Sequence, residues 1–130
     1  MKRIVIIFLM LFLLTGCGNK IICKTIKSDV SEVYKIKYND NIITNIEIIK
    51  TYKFKDKSEF KNYEPMMQYT VKSNTDDNVK SSYKKKYKKY ILKQVYDIGN
   101  IDDDDLLKYG LSKNKEELIN NLKNSGLTCK

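Results

Sequence analysis

The residues best equipped for chemistry in this chain are its three cysteines, Cys17, Cys23 and Cys129. A thiolate is both a strong nucleophile and a soft metal ligand. The usual helpers are missing, because the sequence contains no histidine. It therefore offers no Cys-His or Ser-His pair, no imidazole ligand and no side chain whose ordinary pKa lies near neutrality. A second constellation is the strip of Lys84, Lys85, Lys86, Lys88 and Lys89 interleaved with Tyr83, Tyr87 and Tyr90. Basic side chains for phosphate and rings for stacking are what a single-stranded nucleic acid site needs. A third is the run Asp102, Asp103, Asp104 and Asp105, since hard cations want several carboxylates. The spacing argues against calcium: the acids do not alternate, and Lys113 occupies the place where a bidentate Glu belongs. Consecutive acids before Leu106 read better as an N-cap and first-turn charges that complement a helix dipole. Glu59 with Glu64, or Glu116 with Glu117, could be imagined as acid and base, but nothing in either context sets a carboxylate separation.

These residues belong to two unlike stretches. Ile4 to Leu14 is an unbroken apolar run preceded by Lys2 and Arg3. Eleven residues at 1.5 Å each reach only about 17 Å, against roughly 30 Å of hydrocarbon, so the segment is too short for an ordinary spanning helix. A basic start, an apolar middle and a small-residue exit read as a secretory signal peptide over 1–16. The run ends in Leu14, Thr15, Gly16 and Cys17, which resembles the lipobox of bacterial lipoproteins. That resemblance implies lipidation of Cys17, cleavage before it, and a chain held on the extracytoplasmic face of the cell membrane by its lipid anchor. The alternative is a plain signal peptide with a chance cysteine.

With Cys17 acylated, Cys23 and Cys129 remain as an even pair in an oxidising compartment, and a disulfide between them is expected, two free thiols being the alternative. Two thiols with no histidine and no second Cys-x-x-Cys cannot complete a zinc site, so no metal or cofactor is expected. Export also counts against a nucleic acid partner, as does the absence of arginine after Arg3, which removes the bidentate fork for phosphate and base edges. The lysine strip then reads as a guarded strand edge, or as a surface facing anionic lipid or wall polymer. The formal charge of +9 becomes +7 once residues 1–16 are set aside, with 23 lysines against 16 acids.

The elements that must position these residues start after a tether, read as 17–24, in a globular domain over 25–130. Tyr34, Ile36 and Tyr38 alternate with Lys35 and Lys37, and Ile42, Thr44, Ile46, Ile48, Tyr52 and Phe54 continue the alternation beyond Asn39-Asp40-Asn41. Two such runs around residues that tolerate positive φ predict a β-hairpin. A helix is predicted from Ser58 with Phe60, Tyr63, Met67 and Val71 near one face, either kinked at Pro65 or restarting at Glu64. Lys72 to Ser82 read as a loop. Tyr83 to Asp97 fits a strand or a helix, and its tyrosines, Ile, Leu and Val favour strand. A short helix is predicted from the aspartates to Gly110, and a last one over about 113–124 with Leu118, Ile119 and Leu122 inward and Gly126 as its stop. Most of the ten tyrosines are expected to be half-buried in the sheet, a minority lining a ligand groove between sheet and helices.

This order of elements resembles the small YehR-like lipoproteins of bacteria, a group of uncharacterised function. The likeness is carried by the lipobox, Cys23 near the mature start, the Tyr-rich hairpin, Ile91 to Tyr96 leading into an Asp-rich turn, and the closing Ser125-Gly126-Leu127-Thr128-Cys129. It implies a single α+β domain, a small twisted antiparallel β-sheet with helices packed on one face, and supplies no catalytic residues. The reading is a non-enzymatic envelope domain that binds a protein or small-ligand partner near the membrane. The alternatives are a hydrolase or transferase acting on envelope polymers through carboxylates, and an immunity-type lipoprotein that blocks an intruder by contact.

Overall fold

Apolar and polar residues alternate from Lys20 to Lys53, and this period of two sends them to opposite faces of three consecutive antiparallel strands. The computed structural model describes residues 19–130. The strands are β1 (Lys20–Ile26), β2 (Val30–Asn39) and β3 (Ile42–Lys53). Helix α1 (Lys57–Ser73) leads to a second hairpin, β4 (Val79–Lys86) and β5 (Lys89–Tyr96). A 3-10 turn (Ile98–Asn100), helices α2 (Asp103–Lys108) and α3 (Lys115–Asn124), and the short β6 (Thr128–Cys129) complete the chain. The six strands form one open antiparallel sheet in the order β4-β5-β3-β2-β1-β6, with the helices on one face. It is a single α+β domain.

Two clusters fill the space between sheet and helices. The larger is aliphatic, built on Ile36, Ile43, Ile46 and Ile48 of the sheet with Leu106, Leu111, Leu118 and Leu122 above them. The smaller is aromatic: Tyr90 is fully buried with Met67 and Leu92, ringed by Phe54, Phe60, Tyr63 and Tyr83. Tyr90 lies 4.8 Å from the Phe60 ring and 5.9 Å edge-on from Phe54, and its hydroxyl donates to the Phe60 carbonyl at 2.8 Å. That bond meets the need a buried phenol has for a partner.

Several sequence expectations shift. The sheet begins at Lys20, so residues 20–24, read as tether, are strand. The first hairpin turns at Asp40, in the left-handed region at φ 54°, as expected of an Asn/Asp turn. Only the start of its second strand is out of phase with the expectation, because Lys37 pairs with Asn45 and Tyr38 with Ile43, while Ile46 and Ile48 lie on the expected face. The extra residue, Thr44, makes a β-bulge that turns Ile43 inward and leaves Ile42 and Thr44 exposed. Helix α1 neither stops nor restarts at Pro65 but runs from Lys57 to Ser73. Pro65 is exposed, where a carbonyl that loses its amide donor can be hydrated. The N-cap is Asp56, whose carboxylate accepts from the Ser58 N–H. The loop expected over 72–82 shrinks, since β4 already starts at Val79. Tyr83 to Asp97 is sheet, yet as a hairpin of two strands turning at Tyr87 and Lys88, with Lys88 at φ 54°. The last two helices lie where expected, although the Asp102 side chain makes no capping bond and Ile119 is only half-buried.

Candidate functional site

Leu14, Thr15, Gly16 and Cys17 lie outside the described residues. Cys23 and Cys129 are directly opposite across β1 and β6 and are disulfide-bonded, with Cα atoms 3.9 Å apart. The sulfurs belong to the aliphatic cluster, and the bond closes a loop of 106 residues. The five lysines read as one strip are divided by the pleat. Lys84 and Lys86 of β4 and Lys89 of β5 point to the face without helices. Lys85 points to the helix face, where its Nζ lies 2.8 Å from Glu64 Oε2. Lys88 sits in the turn, its Nζ 5.4 Å from the ring of the exposed Tyr87. The strand carrying most of them, β4, is the sheet edge, as expected of a lysine-guarded edge.

The open face carries more charge than that strip. The register sets its side chains in five rows across the strands. At one end Lys20 stands opposite Lys37. Next come Ile22, Lys35, Glu47, Val95 and Lys80, then Lys24, Val33, Ile49, Lys93 and Ser82. The fourth row is Ile26, Ser31, Thr51, Ile91 and Lys84, and the last is Lys53, Lys89 and Lys86. Ten strand lysines thus face one acid, Glu47, which pairs with Lys93 at 3.3 Å. This face holds +9, whereas the remaining 13 lysines and 15 acids of the domain sum to −2. A shallow hollow of about 200 Å³ opens on it, lined by Ile49 and Ile91 with Lys84, Lys86 and Lys93 around them. Seven of these lysines lie outside the strip singled out in the sequence. Their signal was phase: Lys35 and Lys37 alternate against Tyr34 and Ile36, and Lys89 and Lys93 alternate against Tyr90 and Leu92.

On the helix face, a hollow of about 530 Å³ lies between β1–β2 and the last helices, lined among others by Thr25, Glu32, Tyr34, Tyr109, Asn121 and Leu127. Tyr34 and Tyr109 are the two tyrosines in its wall. Burial, then the charge of Glu32, pushes the Tyr34 hydroxyl up to about 12. Tyr96 is pushed up to about 12 by burial and by Tyr109, whose ring lies 5.3 Å away. Of the four carboxylates considered for acid-base work, Glu64 and Glu117 have side-chain partners, whereas Glu59 and Glu116 are exposed on their helices. Glu64 accepts from Lys85 and, at 3.3 Å, from Tyr83, and the Lys85 hydrogen bond holds its carboxyl below the usual range. Glu117 accepts from Ser112 at 2.8 Å while its N–H donates to the capping Asn114. Asp102 and Asp105 border a polar hollow with Asp76 and Asp77. Among the described residues no three carboxylate or cysteine side chains converge as metal ligands, and no helix is long and apolar enough to cross a membrane.

No family model matches the chain, and no curated protein matches it. Among solved structures, the NMR structure of a protein from Streptococcus pneumoniae TIGR4 superimposes with a TM-score of 0.53. The match covers 86% of each chain at 15% sequence identity. The two chains are similar in fold.

Proposed function

We propose that the chain is a lipid-anchored extracytoplasmic domain of the YehR-like kind, which works by binding at the envelope and not by catalysis. The observation that carries this reading is the meeting of two cysteine roles within a few residues. Two residues separate the Leu14 to Cys17 motif from β1, and that strand carries a disulfide of the sort that persists outside the cytoplasm. A role in binding is supported by the structural engagement of two candidate carboxylates: Glu64 is tied to Lys85, and Glu117, at the rim of a shallow hollow, is tied to Ser112. The test is intact mass and detergent-phase partition of the protein expressed in a bacterium with a lipoprotein pathway. A mature chain starting at acylated Cys17, and a Cys17→Ser variant that moves to the aqueous phase, are the expected results. A wild-type chain without acyl groups overturns the anchor.

A further inference from the structure

We infer that the open face of the sheet is a docking face for an anionic phospholipid bilayer, on which the domain lies with β1 nearest its point of attachment. The inference rests on the lipid-anchored reading for its occupant and on the sheet for its chemistry. The first argument is charge. A domain whose net charge is +7 concentrates +9 on one face, and lysines within a Debye length of about 8 Å of an anionic leaflet each add to attraction. The second is the cost of the arrangement. Lys53, Lys89 and Lys86 stand side by side on three neighbouring strands, as Lys20 and Lys37 do on two, and like charges directly opposite destabilise a sheet. A layer of phosphates against these rows turns that repulsion into attraction.

The third argument is shape. The two lysine rows lie at diagonally opposite corners, with half-buried Val33, Ile49, Ile91 and Val95 between them. A linear polyanion follows one track, whereas charge spread over a broad sheet with an apolar middle matches a surface that is anionic above and apolar beneath. The hollow over Ile49 and Ile91, rimmed by Lys84, Lys86 and Lys93, offers a seat for one phosphate headgroup. The last argument is reach. From Cys17 to Lys20 is three residues, at most about 10 Å when extended, so a lipid on Cys17 keeps the Lys20 and Lys37 corner at the headgroups.

The test uses the full chain, purified from membranes with its native N-terminus and reconstituted into vesicles. One set is phosphatidylcholine alone, and the other is phosphatidylcholine and phosphatidylglycerol in equal parts. Amine-reactive labelling is read lysine by lysine by mass spectrometry. On anionic vesicles Lys37, Lys84 and Lys86 are expected to label several-fold more slowly than on neutral ones, an effect that high salt abolishes. Lys61, Lys72 and Lys123 on the helices should label alike on both. Equal labelling of the two sets overturns the inference. So does protection by soluble inorganic polyphosphate without protection by vesicles, which would assign the face to a polymer. Intact mass of the same sample reports on the anchor separately. An unmodified Cys17 overturns the anchored reading alone, and docking is then read by the same labelling on protein added to preformed vesicles. In that format K84Q/K86Q/K89Q/K93Q should weaken binding to anionic vesicles by about tenfold or more. K57Q/K61Q/K72Q/K123Q removes equal charge from the helices and should change binding less than about twofold; equal losses in the two variants refute the docking face.

Discussion

The two faces of the sheet are made from the same strands and obey different rules. Along β2, Tyr34 and Ile36 enter the aliphatic cluster while their neighbours Lys35 and Lys37 stand on the open side. Along β5, Tyr90, Leu92 and Tyr96 are buried, and Lys89 and Lys93, in the opposite phase, carry charge outward. The covered face is selected for what it excludes from water, a contribution of roughly 25 cal/mol per Å² of apolar area. The open face gains little from folding and loses something to lysine repulsion. A one-residue slip of register would exchange the two sets, so the contrast also pins the strand pairing.

The comparison can be broken, and the sharpest way is through the covered face. Replacing Cys23 and Cys129 together by Ser removes a crosslink across a loop of 106 residues, which should cost about 4–5 kcal/mol in the chain-entropy account. Urea denaturation of this variant, with wild type for comparison, measures it. Next, Ile36→Ala beneath the helices should cost about 2–5 kcal/mol. Ile49→Ala on the open face should cost well under half as much, and equal losses would erase the distinction between faces.

Alkali probes the buried hydroxyls. Tyr34 and Tyr96 ionise at about 12 when folded and near 10.0 when unfolded. Their raised values favour the protonated, folded form, so this stability is complete below about pH 10 and drains away as pH climbs to about 12. Ultraviolet titration of tyrosinate with parallel melting curves should show Tyr34 and Tyr96 among the late-ionising groups, with Tyr52 and Tyr90 also raised by burial, and a Tm falling over that window. A smaller loss, about 1 kcal/mol, is expected for Tyr90→Phe, which removes the 2.8 Å bond to Phe60 but keeps the ring packing. Smallest and opposite in sign, Lys89→Gln should raise stability by a few tenths of a kcal/mol, because it relieves the row shared with Lys53 and Lys86.

How much of this was legible before folding depends on whether the signal was local. Alternation placed Tyr34, Ile36, Ile46 and Ile48 on the covered face, and the Asn-Asp pair placed the first turn. Gly110 and Gly126, both at positive φ, ended the last two helices as their position suggested. The pair Cys23 and Cys129 followed from counting once Cys17 was assigned elsewhere. The bulge at Thr44 was hidden, since an inserted residue alters phase without altering composition. The second hairpin was hidden as well, because Tyr87 and Lys88 carry no turn signal and Lys88 adopts a conformation usually left to Gly or Asn. Pro65 left two readings open, and the helix runs through it without the restart, as its cost falls when the freed carbonyl faces water. The lysines of the open face were visible one strand at a time, and only the register assembled them into a surface.

The bond between Cys23 and Cys129 also determines how the domain bears a pull. Tension entering ahead of β1 and resisted at the C-terminus travels along at most a few residues of β1, crosses the sulfur bridge and leaves through Lys130. Residues 24–128 hang from this path as a closed covalent loop, outside the line of force. The chain can therefore lengthen under end-to-end load by only a few residues while its sheet and both clusters stay folded. After reduction the same load would act on the short β1–β6 ladder, where a single two-residue strand holds the end of the chain in place.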